Sequence, residues 1–279
     1  MTYLEALKHA RASGHALLAT NFYNAETLFG VLRAAQETDS VLILQTSPST
    51  LDYLNIPTAA ALARSASQYY GVQTYLHLDH ATELDMVEAC IDAGWDSVMI
   101  DASESDMETN IQKTKRALEL AAPRKVSVEA ELGYIPKLGQ ADVEEEGLTR
   151  PEEAEHFVHA TGVDTLAVSI GTAHGFYKKA PKIDLPRLAR IASRVEVPLV
   201  LHGGSGVPVD TLQEAIRLGI VKVNYATDIK NAFTLSVKSI LTNTDEIDLR
   251  KTFSPGIDAV CELVKKQLLV CQMKGPRNV

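Results

Sequence analysis

The sequence predicts a closed (β/α)8 TIM barrel with an additional C-terminal helical segment, and two observations support this fold class. Short apolar or β-branched runs recur eight times along the chain, and amphipathic segments with a helical period separate them. Strict alternation of strands and helices indicates parallel strands with helical crossovers. Because the runs are almost continuously apolar, like parallel strands buried on both faces, a closed barrel is favoured over an open doubly wound sheet.

The eight predicted strands are short and are followed by polar or glycine-containing turns. In chain order they begin at Ala16, Val41, Gln73, Ser97, Lys125, Thr165, Pro198 and Val221. The clearest helical segments between them are ETLFGVLRAAQE, ELDMVEACIDAG and NIQKTKRALELAA. Residues 248–279 add a helical segment whose apolar face must cover the barrel bottom or a neighbouring subunit. The chain, residues 1–279, is expected to form one barrel domain.

Composition and charge narrow the classes of function. The chain has 279 residues, of which 46% are hydrophobic and 23% charged, as in an ordinary soluble enzyme domain. A net charge of −9 argues against a general surface for nucleic acid or anionic membranes, so a phosphorylated ligand must be bound by local groups. No apolar run approaches the roughly 20 residues of a membrane span, and the N-terminus lacks a signal-peptide core, so a cytoplasmic protein is expected.

The three cysteines are widely separated and have no C-x-x-C spacing. This pattern suggests neither a disulfide framework nor a cysteine metal cage. Cys90, Cys261 and Cys271 are therefore predicted to be buried thiols.

Residues that bind metals recur at the carboxyl ends of the predicted strands, where barrels place their active sites. The third, sixth and seventh strands lead to His80, His174 and His202. Three neutral imidazoles with an open fourth position are an arrangement used for catalytic zinc, so these histidines are predicted to bind Zn²⁺. Asp101 and Glu131 end the fourth and fifth strands and could orient the imidazoles or hold a second metal position.

The other histidines are expected to be structural. His77 shares a strand face with Asp79 and is predicted to be an inward, hydrogen-bonded residue rather than a ligand. The histidines predicted to lie at the surface are His9, His15, His156 and His159.

The loops after the seventh and eighth predicted strands have the composition of a phosphate site, and barrels often build such a site there. The residues concerned are Gly203, Gly204 and Ser205 in the first loop and Asn224, Tyr225, Ala226 and Thr227 in the second. Glycines let backbone N–H groups approach an anion, and a helix N-terminus adds a favourable dipole. A metal beside a phosphate cradle indicates a site for a short phosphorylated carbonyl compound.

The longest motifs resemble those of class II fructose- and tagatose-bisphosphate aldolases, and more closely the tagatose type. The resemblance covers essentially the whole chain. It rests on FYNAET, HLDH, MIDAS, VEAELG, TGVDTLAVSIGTAHGFYKKAPKIDLPRLARI, VPLVLHGGSGVP and KVNYATDIK. It implies a zinc-dependent aldolase that reversibly cleaves a ketose (bis)phosphate, such as tagatose or fructose 1,6-bisphosphate, to dihydroxyacetone phosphate and an aldehyde.

The resemblance also implies roles for residues at matching positions. His80, His174 and His202 would bind catalytic zinc, and Asp79 would be the acid/base at the aldehyde oxygen. The residues implied to hold dihydroxyacetone phosphate are Gly175, the Gly203–Ser205 loop and the Asn224–Thr227 turn. The remaining matches are Ser47, on the aldehyde side, and Asp101 and Glu131, at positions that can bind a second or displaced metal.

The chain departs from the family pattern at two places. Family members usually carry Gly-Gly and then an acid shortly after ELG, and that loop acid performs the second proton transfer. Here the first acids are Asp142 and the glutamates at 144–146, and the sequence does not choose between them. The tagatose type has Arg at the position of Ser254, near a distal phosphate, whereas Arg250 is retained. The aldehyde half could therefore differ, and a non-catalytic sugar-phosphate-binding subunit is a further alternative.

A Schiff-base aldolase is the main rival mechanism. Lys222 lies on the eighth predicted strand and could form an imine, but the histidine cluster would then have no purpose. Lys222 is therefore predicted to form a structural ion pair.

The resemblance has implications for assembly as well. Family members form dimers or tetramers, and some tagatose-type members work with a non-catalytic partner subunit. A homodimer or homotetramer is expected, with the C-terminal helix as a contact.

Overall fold

The computed structural model describes residues 1–135, 147–175, 177 and 181–274. Eight parallel strands close into a barrel in chain order, and the last strand pairs with the first. The strands are β1 (Leu17–Asn21), β2 (Leu42–Thr46), β3 (Thr74–Ala81), β4 (Ser97–Ile100), β5 (Ser127–Leu132), β6 (Thr165–Val168), β7 (Leu199–Leu201) and β8 (Ile220–Tyr225). The predicted (β/α)8 barrel is confirmed, and each of the eight predicted runs overlaps one strand.

Helices alternate with these strands, and the part of the chain that the structure describes contains eleven of them. They are α1 (Tyr3–Ala12), α2 (Ala25–Glu37), α3 (Pro48–Leu54), α4 (Ile56–Tyr70), α5 (Leu84–Asp92), α6 (Met107–Ala121), α7 (Pro151–Thr161), α8 (Leu185–Ala192), α9 (Val209–Arg217), α10 (Thr227–Asn243) and α11 (Leu249–Cys271). Among the described residues, no helix has the length and apolar character needed to cross a bilayer.

Helix α1, which the sequence analysis did not predict, closes the bottom of the barrel. Tyr3 and Leu7 lie one turn apart on one face of α1 and are buried. They belong to a small apolar cluster with Leu17, Ile43 and Tyr75 from the amino-terminal parts of β1, β2 and β3. The lower half of the interior is therefore a packed apolar plug, which leaves the upper half for polar groups.

The predicted additional C-terminal helical segment is helix α11, whereas α10 is the barrel helix that follows β8. Helix α11 packs against α2 and α10 on the outside of the barrel. Its carboxyl end reaches the barrel bottom, where the Ala16 N–H donates to the Cys271 carbonyl at 3.0 Å. Cys90, Cys261 and Cys271 are all free and buried, as predicted.

The close approach of α2 and α11 depends on Gly30. A Cβ at this position would lie 2.8 Å from the Ile257 carbonyl oxygen and 2.8 Å from two side-chain atoms of Val260. Gly30→Ala should therefore destabilise the protein by about 1–3 kcal/mol, because overpacking outweighs the usual gain in helix propensity. Urea unfolding followed by circular dichroism measures this change.

Ser65→Ala is the matched control, because Ser65 is an exposed residue of helix α4. It should change the free energy of unfolding by no more than about 0.5 kcal/mol. Equal effects of the two substitutions would contradict the packing argument.

Candidate metal centre and active site

Strand β3 carries two consecutive polar residues, Asp79 and His80, to the barrel mouth. Regular alternation would point them to opposite faces of the strand. The register between β3 and β4 shifts between Leu78 and Ala81, and His80 has a φ of +53°. This left-handed conformation is uncommon for a non-glycine residue and is often found at functional sites. It lets both side chains approach one point, with 3.9 Å between His80 Nε2 and Asp79 Oδ1.

The structure brings the three predicted histidines together. One ring nitrogen from each of His80, His174 and His202 lies within 4.8 Å of the others. The shortest separation is 2.8 Å, between His80 Nε2 and His202 Nδ1. The ring of His174 completes the group, with its centroid 4.8 Å from that of His80.

Carboxylates on the far side of two of these rings fix their tautomers. His80 Nδ1 is 2.7 Å from Asp101 Oδ2, and His202 Nε2 is 2.9 Å from Glu129 Oε1. Because an ionised carboxylate can only accept, these two nitrogens carry the protons. The lone pairs of His80 Nε2 and His202 Nδ1 therefore face each other, which is unfavourable unless a proton or a cation lies between them. This donor set fits a zinc ion.

The electrostatics favour a proton on His80 over one on His202. Burial opposes a charge on this ring, but the carboxylate of Asp79 and the hydrogen bond to Asp101 outweigh it and raise the pKa of His80 to about 10. Burial and the positive charge of His80 hold the pKa of His202 well below its ordinary value. Burial alone would raise the pKa of Asp101, yet the His80 hydrogen bond and charge, with Ser103, lower it.

Glu131 is a second buried carboxylate at this centre. Burial, followed by repulsion from Asp101, raises its pKa well above the ordinary value. Its Oε2 lies 3.6 Å from His202 Nδ1, and among the described residues this oxygen has no hydrogen-bond partner. His80, Asp101 and Glu131 also form a second set of ligand atoms within 4.8 Å. Such a set, with one imidazole and two carboxylates, could hold a metal ion.

Two amides hold the carboxylate of Asp79. Asn21 Nδ2 donates to Oδ2 at 3.3 Å, and Asn224 Nδ2 donates to Oδ1 at 3.2 Å. Gln45 Nε2 in turn donates to Asn21 Oδ1 at 3.2 Å, so the orientation of Asp79 is set by three strands. Sequence reasoning missed Asn21 and Gln45. The available signal was a lone amide near the end of each otherwise apolar strand.

The two predicted phosphate loops pack closely because Gly203 and Gly204 carry no side chain. A Cβ on Gly203 would lie 2.5 Å from the Ala173 carbonyl oxygen, and one on Gly204 would lie 2.8 Å from Val223 Cγ1. The Gly204 N–H donates to the Asn224 carbonyl at 2.9 Å, which ties the two loops together. The second loop leads into α10 as predicted, since the helix begins at Thr227.

Three further residues were predicted to bind substrate, namely Ser47, Tyr225 and Gly175. Ser47 is the N-cap of α3, and its Oγ lies 3.1 Å from Ser49 Oγ and 3.2 Å from Thr50 Oγ1. Tyr225 is buried in the main apolar core, so only its backbone is available to a ligand. Gly175 has a φ of +121° just after His174.

Other expectations concern residues away from the centre. Ser254 and Arg250 are exposed on α11, and Arg250 pairs with Asp248 at 2.9 Å. The loop acids, Asp142 and residues 144–146, lie outside the described residues. His9, His156 and His159 are exposed, whereas His15 is partly buried.

Lys222 forms the predicted ion pair. Its Nζ is 2.8 Å from Glu129 Oε2, and neither side chain is exposed. His77 is also an inward, buried residue as predicted, and its Nδ1 is 3.0 Å from Ser97 Oγ.

A parallel barrel with three converging histidines at its mouth defines a (β/α)8 protein with a candidate metal centre. The class II fructose-bisphosphate aldolase family matches residues 1–276, so the chain belongs to this family. It is accordingly a carbon–carbon lyase of the aldolase type, in a family that is generally zinc-dependent.

Solved structures of aldolases share this architecture. The YdjI aldolase from Escherichia coli K12 is 29% identical, with 97% of each chain covered and a TM-score of 0.85. A candidate fructose-1,6-bisphosphate aldolase from Coccidioides immitis is 28% identical, with 98% of this chain and 96% of that chain covered and a TM-score of 0.87. The fructose-bisphosphate aldolase from Campylobacter jejuni is 23% identical, covers 96% and 93%, and has a TM-score of 0.83, which supports the fold alone.

Binding of zinc to the metal-free protein should release a proton from His80. Because the pKa of His80 is raised to about 10, this ring is protonated at neutral pH and must lose its proton to become a ligand. Zinc affinity should therefore rise with pH up to about 10. Calorimetric titration in buffers of different ionisation enthalpy measures the number of protons released.

Asp101→Asn is the matched variant, because it removes the negative charge that supports the protonated ring. It should lower the pKa of His80 and reduce proton release at pH 7. Equal proton release by the variant and the unmodified protein would contradict the assignment of the proton to His80.

Proposed function

We propose that this chain is a zinc-dependent aldolase that reversibly cleaves a ketose (bis)phosphate, such as tagatose or fructose 1,6-bisphosphate, to dihydroxyacetone phosphate and an aldehyde. The proposal rests on one observation above all. In a member of the class II aldolase family, His80, His174 and His202 converge beside the amide-held carboxylate of Asp79.

His80, His174 and His202 would hold the zinc ion. Two of the three rings present a lone pair to a common point and the third lies beside them, which is the donor set of an open catalytic zinc site. When bound, zinc would supply Lewis-acid polarisation of the substrate oxygens. Asp101 would orient His80, and Asp101 and Glu131 together would offer the second metal position.

Asp79 would act as the acid/base. In cleavage its carboxylate would take the proton from the hydroxyl beside the breaking carbon–carbon bond, and in condensation it would return that proton. Asn21 and Asn224 donate to its two oxygens, so the carboxylate is held in one orientation before substrate arrives. Such preorganisation places the proton acceptor at the reacting hydroxyl.

The phosphate of dihydroxyacetone phosphate would bind to backbone N–H groups rather than to cationic side chains. Its proposed partners are Gly175, the Gly203–Ser205 loop and the Asn224–Thr227 turn, which contain no cationic side chain. Backbone N–H groups and the start of α10 would supply the positive potential. The chain's net charge of −9 makes such local donors necessary.

The aldehyde half is the part of the substrate for which two candidates are proposed. Ser47 and its neighbouring hydroxyls would line this side of the site. Arg250 is paired with Asp248 and its side chain is 90% exposed, and Ser254 stands where the tagatose type has Arg. These features favour, as a second candidate, a ketose 1-phosphate whose aldehyde half lacks a terminal phosphate.

Cleavage of a panel of ketose phosphates tests the proposal directly. Zinc-loaded protein should release dihydroxyacetone phosphate from at least one member, detected with a coupled dehydrogenase, and chelator should abolish the release. Asp79→Asn should lower kcat by about 10²–10⁴-fold with zinc content unchanged, because the proton acceptor is lost.

Asp85→Asn serves as the control, since Asp85 is an exposed carboxylate on α5. It should leave the rate unchanged. Release of dihydroxyacetone phosphate that persists with chelator, together with covalent attachment of substrate to the protein on treatment with borohydride, would contradict the metal mechanism. It would favour an imine on Lys222. No release from any member by zinc-loaded protein would favour the non-catalytic alternative.

We also propose a cytoplasmic homodimer or homotetramer in which residues 1–279 form one barrel domain. Large apolar side chains are exposed on α10, on the start of α11 and between the two helices, as at protein interfaces. They are Leu235, Leu241, Ile247 and Leu249, with exposed fractions of 57%, 58%, 91% and 64%. A non-catalytic partner subunit would be a second occupant of this surface.

Replacing Leu241 and Ile247 together by Glu should weaken self-association, because charge would enter an apolar contact. Light scattering after size-exclusion chromatography should show a smaller species than the unmodified protein forms. Replacement of Tyr69, an exposed residue on α4, by Glu is the control and should leave the mass unchanged. A monomeric unmodified protein would contradict the proposed assembly.

A further inference from the structure

A layer of fully buried polar side chains lies inside the barrel below the three histidines. It contains His77, Ser97, Glu129 and Lys222, none of which is exposed. The proposed chemistry uses none of them. Burying an ammonium and a carboxylate is costly unless every donor and acceptor is satisfied, so the hydrogen bonds in this layer are informative.

Lys222 determines how the layer is connected. Its ammonium has three N–H donors. Two are directed to Glu129, with Oε1 at 3.0 Å and Oε2 at 2.8 Å, and the third meets His77 Nε2 at 3.1 Å. His77 Nε2 is thus an acceptor, so its proton lies on Nδ1 and is donated to Ser97 Oγ at 3.0 Å.

Glu129 connects this polar layer to His202 by a hydrogen bond. Both of its oxygens accept from Lys222, so the carboxylate cannot rotate away without breaking a buried ion pair. Its Oε1 also lies 2.9 Å from His202 Nε2, and a carboxylate has no proton to give. The proton of His202 is therefore on Nε2, and Nδ1 is left to face His80 Nε2.

We infer that the Lys222–Glu129 pair is a positioning device that fixes the tautomer of His202, so that Nδ1 is presented to the metal. The inference rests on the proposed metal centre. It gives the buried lysine a role in place of imine formation. Glu129 and Lys222 are positioning residues in this inference, since neither belongs to a candidate set of metal-ligand atoms among the described residues and both act through His202.

Glu129→Gln is the decisive variant. Lys222 contacts both oxygen positions, and the contact with Oε2, at 2.8 Å, is shorter than that with Oε1, at 3.0 Å. We therefore expect the single amide oxygen to take the Oε2 position and the amide N–H₂ to take the Oε1 position, where it faces His202 Nε2. That nitrogen must then accept, and the proton moves to Nδ1, where it blocks the metal ligand. Zinc affinity should fall about 10- to 100-fold, the usual effect of losing such a supporting contact.

The double variant Glu129→Gln with Lys222→Met should reverse the loss. Without the ammonium, the amide is free to turn its oxygen to His202 and restore the Nε2 proton. Zinc affinity should return to within about threefold of the unmodified protein. A double variant that binds zinc no better than the single variant would overturn the inference, because a lost ion pair rather than a tautomer would then explain the effect.

Nitrogen-15 spectra of labelled histidine in the metal-free protein give a readout that does not depend on activity. We expect His202 to carry its proton on Nε2 in the unmodified protein and in the double variant, and on Nδ1 in Glu129→Gln. An Nδ1 proton in the unmodified protein overturns the inference even if a variant does not fold. Ser127→Ala, two residues before Glu129 on β5, is the control and should leave tautomer and zinc affinity unchanged.

Failure of the proposed function is distinguishable from failure of this inference. A protein that cleaves no ketose phosphate but switches its His202 tautomer as expected would keep the inference and lose the aldolase proposal. If the protein cleaves its substrate but the Glu129→Gln variant keeps the His202 proton on Nε2 and binds zinc with full affinity, the aldolase proposal is kept and the inference is lost.

Discussion

The upper half of this barrel is organised by the need to provide hydrogen-bond donors for carboxylates that are buried or partly buried. Glu129 is matched by the ammonium of Lys222, Asp101 by His80, and Asp79 by the amides of Asn21 and Asn224. Each pairing also fixes an orientation, because a carboxylate accepts in defined directions. The energetic requirement of burial and the geometric requirement of a metal centre are therefore met by the same hydrogen bonds.

Stability and chemistry occupy different ends of the barrel. The plug formed by α1 and the lower parts of the strands is apolar, whereas the polar network begins one layer above it. This division allows the mouth to hold an irregular backbone at His80 and an unsatisfied oxygen on Glu131. Local strain at a functional site persists only when the surrounding structure determines it strongly.

The sequence was sufficient for the fold and for the three histidines, because parallel strands bring their carboxyl ends to one edge of the barrel. It was not sufficient for the roles of Asn21 and Gln45, or for Glu129 as the partner of Lys222, because these contacts depend on how side chains of different strands meet inside the barrel. The positive φ of His80 and the tautomer of His202 are likewise properties of three-dimensional neighbours. Helix α1 was missed because its apolar face is short and precedes the first strand.

The contact between Gly203 and the Ala173 carbonyl joins the proposed phosphate loop to the segment that carries His174 without an intervening side chain. Packed backbone is stiff, so displacement of one segment must displace the other. In the proposed complex, the phosphate end of the substrate and its reacting end are thus linked mechanically through the protein. Under the proposed function, a ligand whose phosphate fits this loop poorly would also displace the histidine cluster, so the fit of the non-reacting end would be a condition for chemistry at the reacting end.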